Sequence, residues 1–215
     1  MPTINLTPKR KTLEESYKSN VSHRHTIDIG GWNDYIVAAS SISITHASAP
    51  VLTVYRGGIW KPAFTGTGVL TKEVWVDIHI EHDYRMGTAL YPHIHWSHII
   101  GAPSGNVKWQ IEYMLAKGHS VGTFPAPTTV SVVQAAAAQY THQIAEVSDA
   151  NSIPSTNVEP DTIVSIRLFR DPSDASDTFE NDAYLYAVDL HYQSTGFYTN
   201  EKVSPFTQRY HIRNS

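Results

Sequence analysis

Hydrophobic and polar residues alternate with a period of two through most of the chain, and that period predicts strands. In "EVWVDIHI" (73–80) Val74, Val76, Ile78 and Ile80 fall on one face, while Trp75, Asp77 and His79 fall on the other. "VKWQIEYML" (107–115) sets Val107, Trp109, Ile111, Tyr113 and Leu115 together, opposite Lys108, Gln110 and Glu112. "TIVSIRLF" (162–169) and "AYLYAVDLHY" (183–192) alternate less cleanly but are as rich in strand formers. Further strands are predicted over 41–45, 51–55, 59–64, 89–96 and 128–134, and one short helix is admitted at "AAAAQY" (135–140). Roughly nine short strands punctuated by Gly, Pro, Asn and Asp predict an all-β fold, an antiparallel β-sandwich or jelly roll.

The pattern starts at "GGWNDYIV". Residues 1–30 are polar and charged and predict an extended N-terminal arm, 31–200 a single sandwich domain, and 201–215 a C-terminal tail. Two long polar connections, 146–161 and 170–182, interrupt the strands, and loops of that length more often carry function or an interface than none.

Composition narrows the classes. A net charge of -4, from 16 basic and 20 acidic residues, supplies no electrostatic case for nucleic acid as a partner. No apolar run approaches the roughly 20 residues of a spanning helix, so no membrane is expected, and the N-terminus lacks the apolar core of a secretory signal. Synthesis in a cytoplasm is the expectation. Cysteine is absent, which removes disulfides, thiolate nucleophiles and Cys-based zinc sites.

The densest candidate chemistry is "LYPHIHWSH" (90–98). On a strand, Tyr91, His93 and His95 point one way and Leu90, Ile94 and Trp96 the other. The His93 and His95 α-carbons then lie about 7 Å apart, twice the strand rise, and their imidazoles can chelate one metal ion. A third ligand would come from another strand or from a symmetry-related chain, as at the axis of a trimer. Gly87 with His93 and His95 is similar to half of the cupin motif, which would make the chain a metal-dependent jelly-roll enzyme. The Glu of that motif is missing, since Ile99 and Ile100 stand where it should fall. The competing reading leaves the histidines hydrogen-bonded to neighbours or stacked beside Tyr91, with no cofactor.

Other chemistry is thinner. Asp189 and His191 share a strand face and could orient an imidazole for base catalysis. His79 and His82 flank "IEHDY", where Glu81 and Asp83 read as solvated turn carboxylates. No nucleophile elbow, phosphate loop or His-Glu-X-X-His is present. No enzymatic role is expected. The aromatics, five Trp, twelve Tyr and six Phe, fit core packing or a subunit interface, with Tyr91, Trp96 and Trp109 as candidates alongside Lys9, Arg10 and Lys11 of the arm. Exposed Trp32, Trp60 or Trp75 would instead suit a carbohydrate-binding module, given a flat aromatic strip flanked by polar groups.

Over residues 55 to 206 the chain resembles a group of tailed-bacteriophage virion proteins. The shared strings are a "HDY" turn (82–84), a His-X-His-Trp strand (93–96), "EY-X-X-AKG" (112–118), "R-X-FRD" (167–171) with its acidic loop, and "D-X-HYQS" (189–194). The resemblance implies a structural component of a virion, a capsid decoration or head-fibre-base protein, or a tail or adaptor component. It also implies self-association, with a homotrimer as the expected form, and contact with capsid, portal or tail proteins.

Overall fold

A computed structural model describes residues 30–42, 46–68 and 70–196. The arm with Lys9, Arg10 and Lys11 and the tail lie outside the described residues. Ten strands form two antiparallel sheets packed face to face, the predicted all-β sandwich. They are β1 (Gly31–Ala38), β2 (Val51–Arg56), β3 (Ile59–Phe64), β4 (Lys72–His79), β5 (Tyr91–Ser97), β6 (Asn106–Ala116), β7 (Thr128–Ala135), β8 (Gln143–Glu146), β9 (Ile163–Arg170) and β10 (Ala183–Ser194). One sheet runs β2-β3-β10-β5-β8, with β1 also paired to β10, and the other runs β4-β9-β6-β7.

The alternation read from the sequence is the alternation of burial. Val74, Val76 and Ile78 of β4 and Val107, Trp109 and Ile111 of β6 face the core, against Ile94 and Trp96 of β5 and Val188 and Leu190 of β10. Trp96 and Trp109, expected at an interface, are a correction: both are fully buried, with ring centroids 6.1 Å apart. Their own strand faces are apolar, so the sandwich interior claims them. Tyr91 is half-buried on the opposite face of β5.

Two local expectations also change. "AAAAQY" is not a helix. Gln143 Nε2 donates to the Ala135 carbonyl and its Oε1 accepts from the Ala137 N–H, while the Ala136 and Tyr140 N–H groups donate to Gly105 and His98. With those backbone groups engaged by neighbours, helical propensity has no hydrogen bonds left to win. Of the strand predicted over 41–45, Ser41 instead ends a 3-10 turn (Ala39–Ser41), Ile42 caps it, and 43–45 lie outside the described residues.

The loop after β9 is fastened by one side chain. Arg170 is fully buried and forms a bidentate pair with Asp177, at 2.9 and 2.8 Å, and donates further to the carbonyls of Phe64, Asn181 and Phe179. Every direction of the guanidinium fork is used, which is what makes a buried charge tolerable. The same loop lies against Gly66 and Gly105, where a β-carbon would collide with the Phe179 and Thr178 carbonyls.

Candidate metal centre

Four strands of the six-stranded sheet, β1, β5, β8 and β10, bring histidines and carboxylates to the face turned away from the core. The register sets His93 on β5 opposite Asp189 on β10 and opposite Glu146 on β8, while His191 lies opposite Tyr91 and Asp34. Successive side chains on one strand face add His95 beside His93. The two histidines therefore share a face, as their spacing predicts, and their rings stand perpendicular with centroids 5.1 Å apart.

Asp189 is the residue that spacing alone does not find. Its carboxylate is 1% exposed, although it sits on the outer face of the sheet. Oδ2 lies 3.1 Å from His93 Nε2 and 3.0 Å from His95 Nε2. Neither contact has hydrogen-bond geometry, so both Nε2 atoms are buried without a hydrogen-bond partner, as is the other oxygen of the carboxylate, Asp189 Oδ1. The far nitrogens are held. His93 Nδ1 is 3.3 Å from Glu146 Oε2, and His95 Nδ1 is 2.7 Å from His142 Nε2. Asp34 Oδ1 lies 3.5 Å from His93 Nε2 at the rim.

The two imidazoles are driven apart in basicity. Burial pushes the His93 pKa down, but Asp189, Glu146 and Asp34 outweigh it and hold the value above the usual range. For His95, burial together with the neighbouring His93 and His142 outweighs Asp189, and the value falls below the usual range. The expected dyad of Asp189 with His191 is a correction. Asp189 instead meets β5, across the strand, and His191 Nδ1 turns to Glu146 Oε2 at 3.4 Å.

A second group gathers three histidines around Asp161. His79 and His119 Nε2 lie 3.0 and 2.8 Å from its two carboxylate oxygens, and His82 Nε2 lies 3.3 Å away. Partial burial pushes the Asp161 carboxyl up, yet His119, His82 and His79 together hold it below the usual carboxylate range. Asp83, expected to be solvated, is buried: Tyr192 OH donates to both of its oxygens and Ser194 Oγ donates at 2.6 Å.

The three candidate sugar-stacking tryptophans are exposed but do not form a strip. Trp32 on β1 packs edge-on against Tyr91 and His191, Trp60 ends the β2–β3 hairpin, and Trp75 lies on the other sheet against His46. Beside Trp75 a shallow depression of about 300 Å³ is lined by Asp77, Glu112, Ser165 and Arg167. Those groups are already engaged: Ser165 donates to Asp77 at 2.6 Å, and Arg167 pairs with Glu73 and Glu112.

No family model matches the chain, and no curated protein matches it. Among solved structures it is similar to the Arthrobacter globiformis T6 isomalto-dextranase complexed with panose, at 12% identity and a TM-score of 0.37 over 73% of this chain and 23% of that one. A chain of the infectious bursal disease virus Gx strain structure gives 14% and 0.34 over 92% and 37%. A carbohydrate-binding module of the β-sandwich superfamily gives 13% and 0.31 over 76% and 54%. The chain spans about a quarter and about a third of the length of the first two. Virus and sugar-directed proteins thus stand side by side, at TM-scores that carry no argument for either. No helix among the described residues is long and apolar enough to cross a membrane.

Proposed function

We propose that the chain is a non-enzymatic structural subunit of a tailed-bacteriophage particle, a capsid decoration or head-fibre-base protein that packs against copies of itself and against other virion proteins. A tail or adaptor position in the same particle is the alternative placement. The strings shared with phage virion proteins support the class.

The observation that carries the reading is an apolar stripe that begins in the core and runs out of it. Alternation puts Phe64, Pro62 and Trp60 on one face of β3, and the register sets Leu52 opposite Pro62 and Val54 opposite Trp60 on β2. Phe64 is fully buried, whereas Trp60 is 56% exposed and Leu52 47%. The inner face of the hairpin therefore extends past the facing sheet. Leaving it in water forfeits about 25 cal/mol for each Å² that a partner would cover, and uncovered patches of this kind mark protein–protein contacts. A second copy of the chain is the occupant proposed here, since the stripe continues the chain's own core and presents the residue types that such a core accepts.

The test has two parts. The full chain should run as an oligomer in solution, a trimer on this reading, and Leu52→Asp/Trp60→Asp should run as a monomer with an unchanged β-sheet circular dichroism spectrum. A monomeric wild type, or a variant that still assembles, overturns the self-association. Mass spectrometry of purified particles of the encoding phage should find the chain in stoichiometric amount, and its absence overturns the virion assignment.

A further inference from the structure

We propose that His93, His95 and Asp189 bind one divalent transition-metal ion per chain, of the class of zinc, on the outer face of the six-stranded sheet. The three ligand atoms all lie within 4.8 Å of one another. For bonds of about 2.0–2.2 Å at tetrahedral angles, ligand atoms stand roughly 3.3–3.6 Å apart. The two nitrogen-to-oxygen distances of 3.1 and 3.0 Å need to open by only a few tenths of an ångström to admit an ion between them.

Three features separate this group from a mere hydrogen-bonded cluster. First, the two Nε2 atoms that converge on Asp189 Oδ2 have no hydrogen-bond partner, nor has the other oxygen of that carboxylate, Oδ1, and polar atoms buried unpaired are costly. An ion bound by both Nε2 atoms removes that cost at the two nitrogens, and at Oδ1 as well if the carboxylate turns or binds through both oxygens. Second, the opposite nitrogens are held by Glu146 and His142: the carboxylate can only accept, which sets His93 to donate from Nδ1 and offer a lone pair at Nε2, and His95 does the same in the tautomer in which His142 Nε2 accepts. Third, the third ligand comes from the adjacent strand of the same chain, so the set does not require a symmetry axis. Two imidazoles and one carboxylate, with no sulfur, suit zinc and its first-row neighbours and not calcium or magnesium. A fourth position is left to water or to Asp34. The ion would tie β5 to β10 at the centre of the sheet, a clamp that is independent of the hairpin interface.

Zinc alone is the probe. Full-length protein stripped with chelator and then given zinc should retain one ion per chain after gel filtration and melt several degrees higher. Asp189→Asn should lose the retained ion and the shift. Because Asp189 is buried, Glu146→Gln serves as the variant that leaves the core untouched: it should keep the fold and weaken zinc binding by about 10–100-fold. A wild type that retains no zinc overturns the proposal, as does zinc retention that neither variant changes. One ion per three chains overturns it in favour of an axial site.

Discussion

Asp189 and Asp161 each sit among imidazoles, and they are arranged in opposite ways. Around Asp161 three histidines approach two carboxylate oxygens from the surface, and both oxygens are used by His79 and His119. Around Asp189 two histidines crowd one oxygen below the surface, and the two nitrogens that meet it have no hydrogen-bond partner. The first arrangement is complete as a set of charge-assisted hydrogen bonds. The second leaves both Nε2 atoms and one carboxylate oxygen unsatisfied. Residue type is the same in both, so burial and direction, not composition, separate a solvated acid–histidine cluster from a ligand set.

The largest effect that would break the contrast is on Asp189. In chelator, Asp189→Ala should destabilise the chain by about 3–5 kcal/mol in urea unfolding, because two imidazoles are left buried with no carboxylate between them. A cost as small as that at an exposed pair would erase the distinction. Asp161 should respond less, and mainly through its backbone. It lies at φ 65°, where a non-glycine residue is strained and where Asn is better tolerated than Ala. Asp161→Ala should cost about 2 kcal/mol and Asp161→Asn less than about 1 kcal/mol. Equal losses would mean that the ion pairs, not the left-handed backbone, dominate that site.

Acid sharpens the same comparison. The folded Asp161 carboxyl titrates below its unfolded value, near 3.9, so its contribution is fully present above that pH and is lost as pH falls through the lower, folded value. The stability gap between wild type and Asp161→Asn should therefore close as pH drops from about 5 to about 2 in a series of urea titrations. A gap that widens instead would show that the carboxylate is not stabilised in the fold. The smallest expected effect is Glu146→Gln without metal, within about 0.5 kcal/mol, as for a surface change. That variant distinguishes orientation of a ligand from support of the fold, since its effect should appear in zinc affinity and hardly in urea.

The faces of β4, β5 and β6 were legible because a period of two, once one face is apolar, decides what every residue on the strand does. The same rule should have kept Trp96 and Trp109 out of the interface: each stands on the apolar face of its strand, and their size suggested a surface role that their position denies. Asp189 was visible as a residue and not as a neighbour of His93 and His95. Its partner on the sequence is His191, two positions away, but its partners in space are set by the pairing of β10 with β5, and pairing register is not written in either strand alone. Strand β8 left no usable signal, since four residues are too few to show a period, and with it went Glu146. His82 and His119 could not be joined to Asp161 for the same reason, being gathered by loops from three parts of the chain.

The order in which the sheet is made follows from where β10 lies. It pairs with β1, β3 and β5, yet it follows nine described strands in the sequence. During synthesis those three strands emerge early and wait, with open edges, for the strand that joins them, while the β4-β9-β6-β7 sheet is complete once Arg170 has emerged. The chain is therefore obliged to fold late: half of the sandwich cannot close until the ribosome has passed Ser194, and until then its unpaired edges are open to the wrong neighbours.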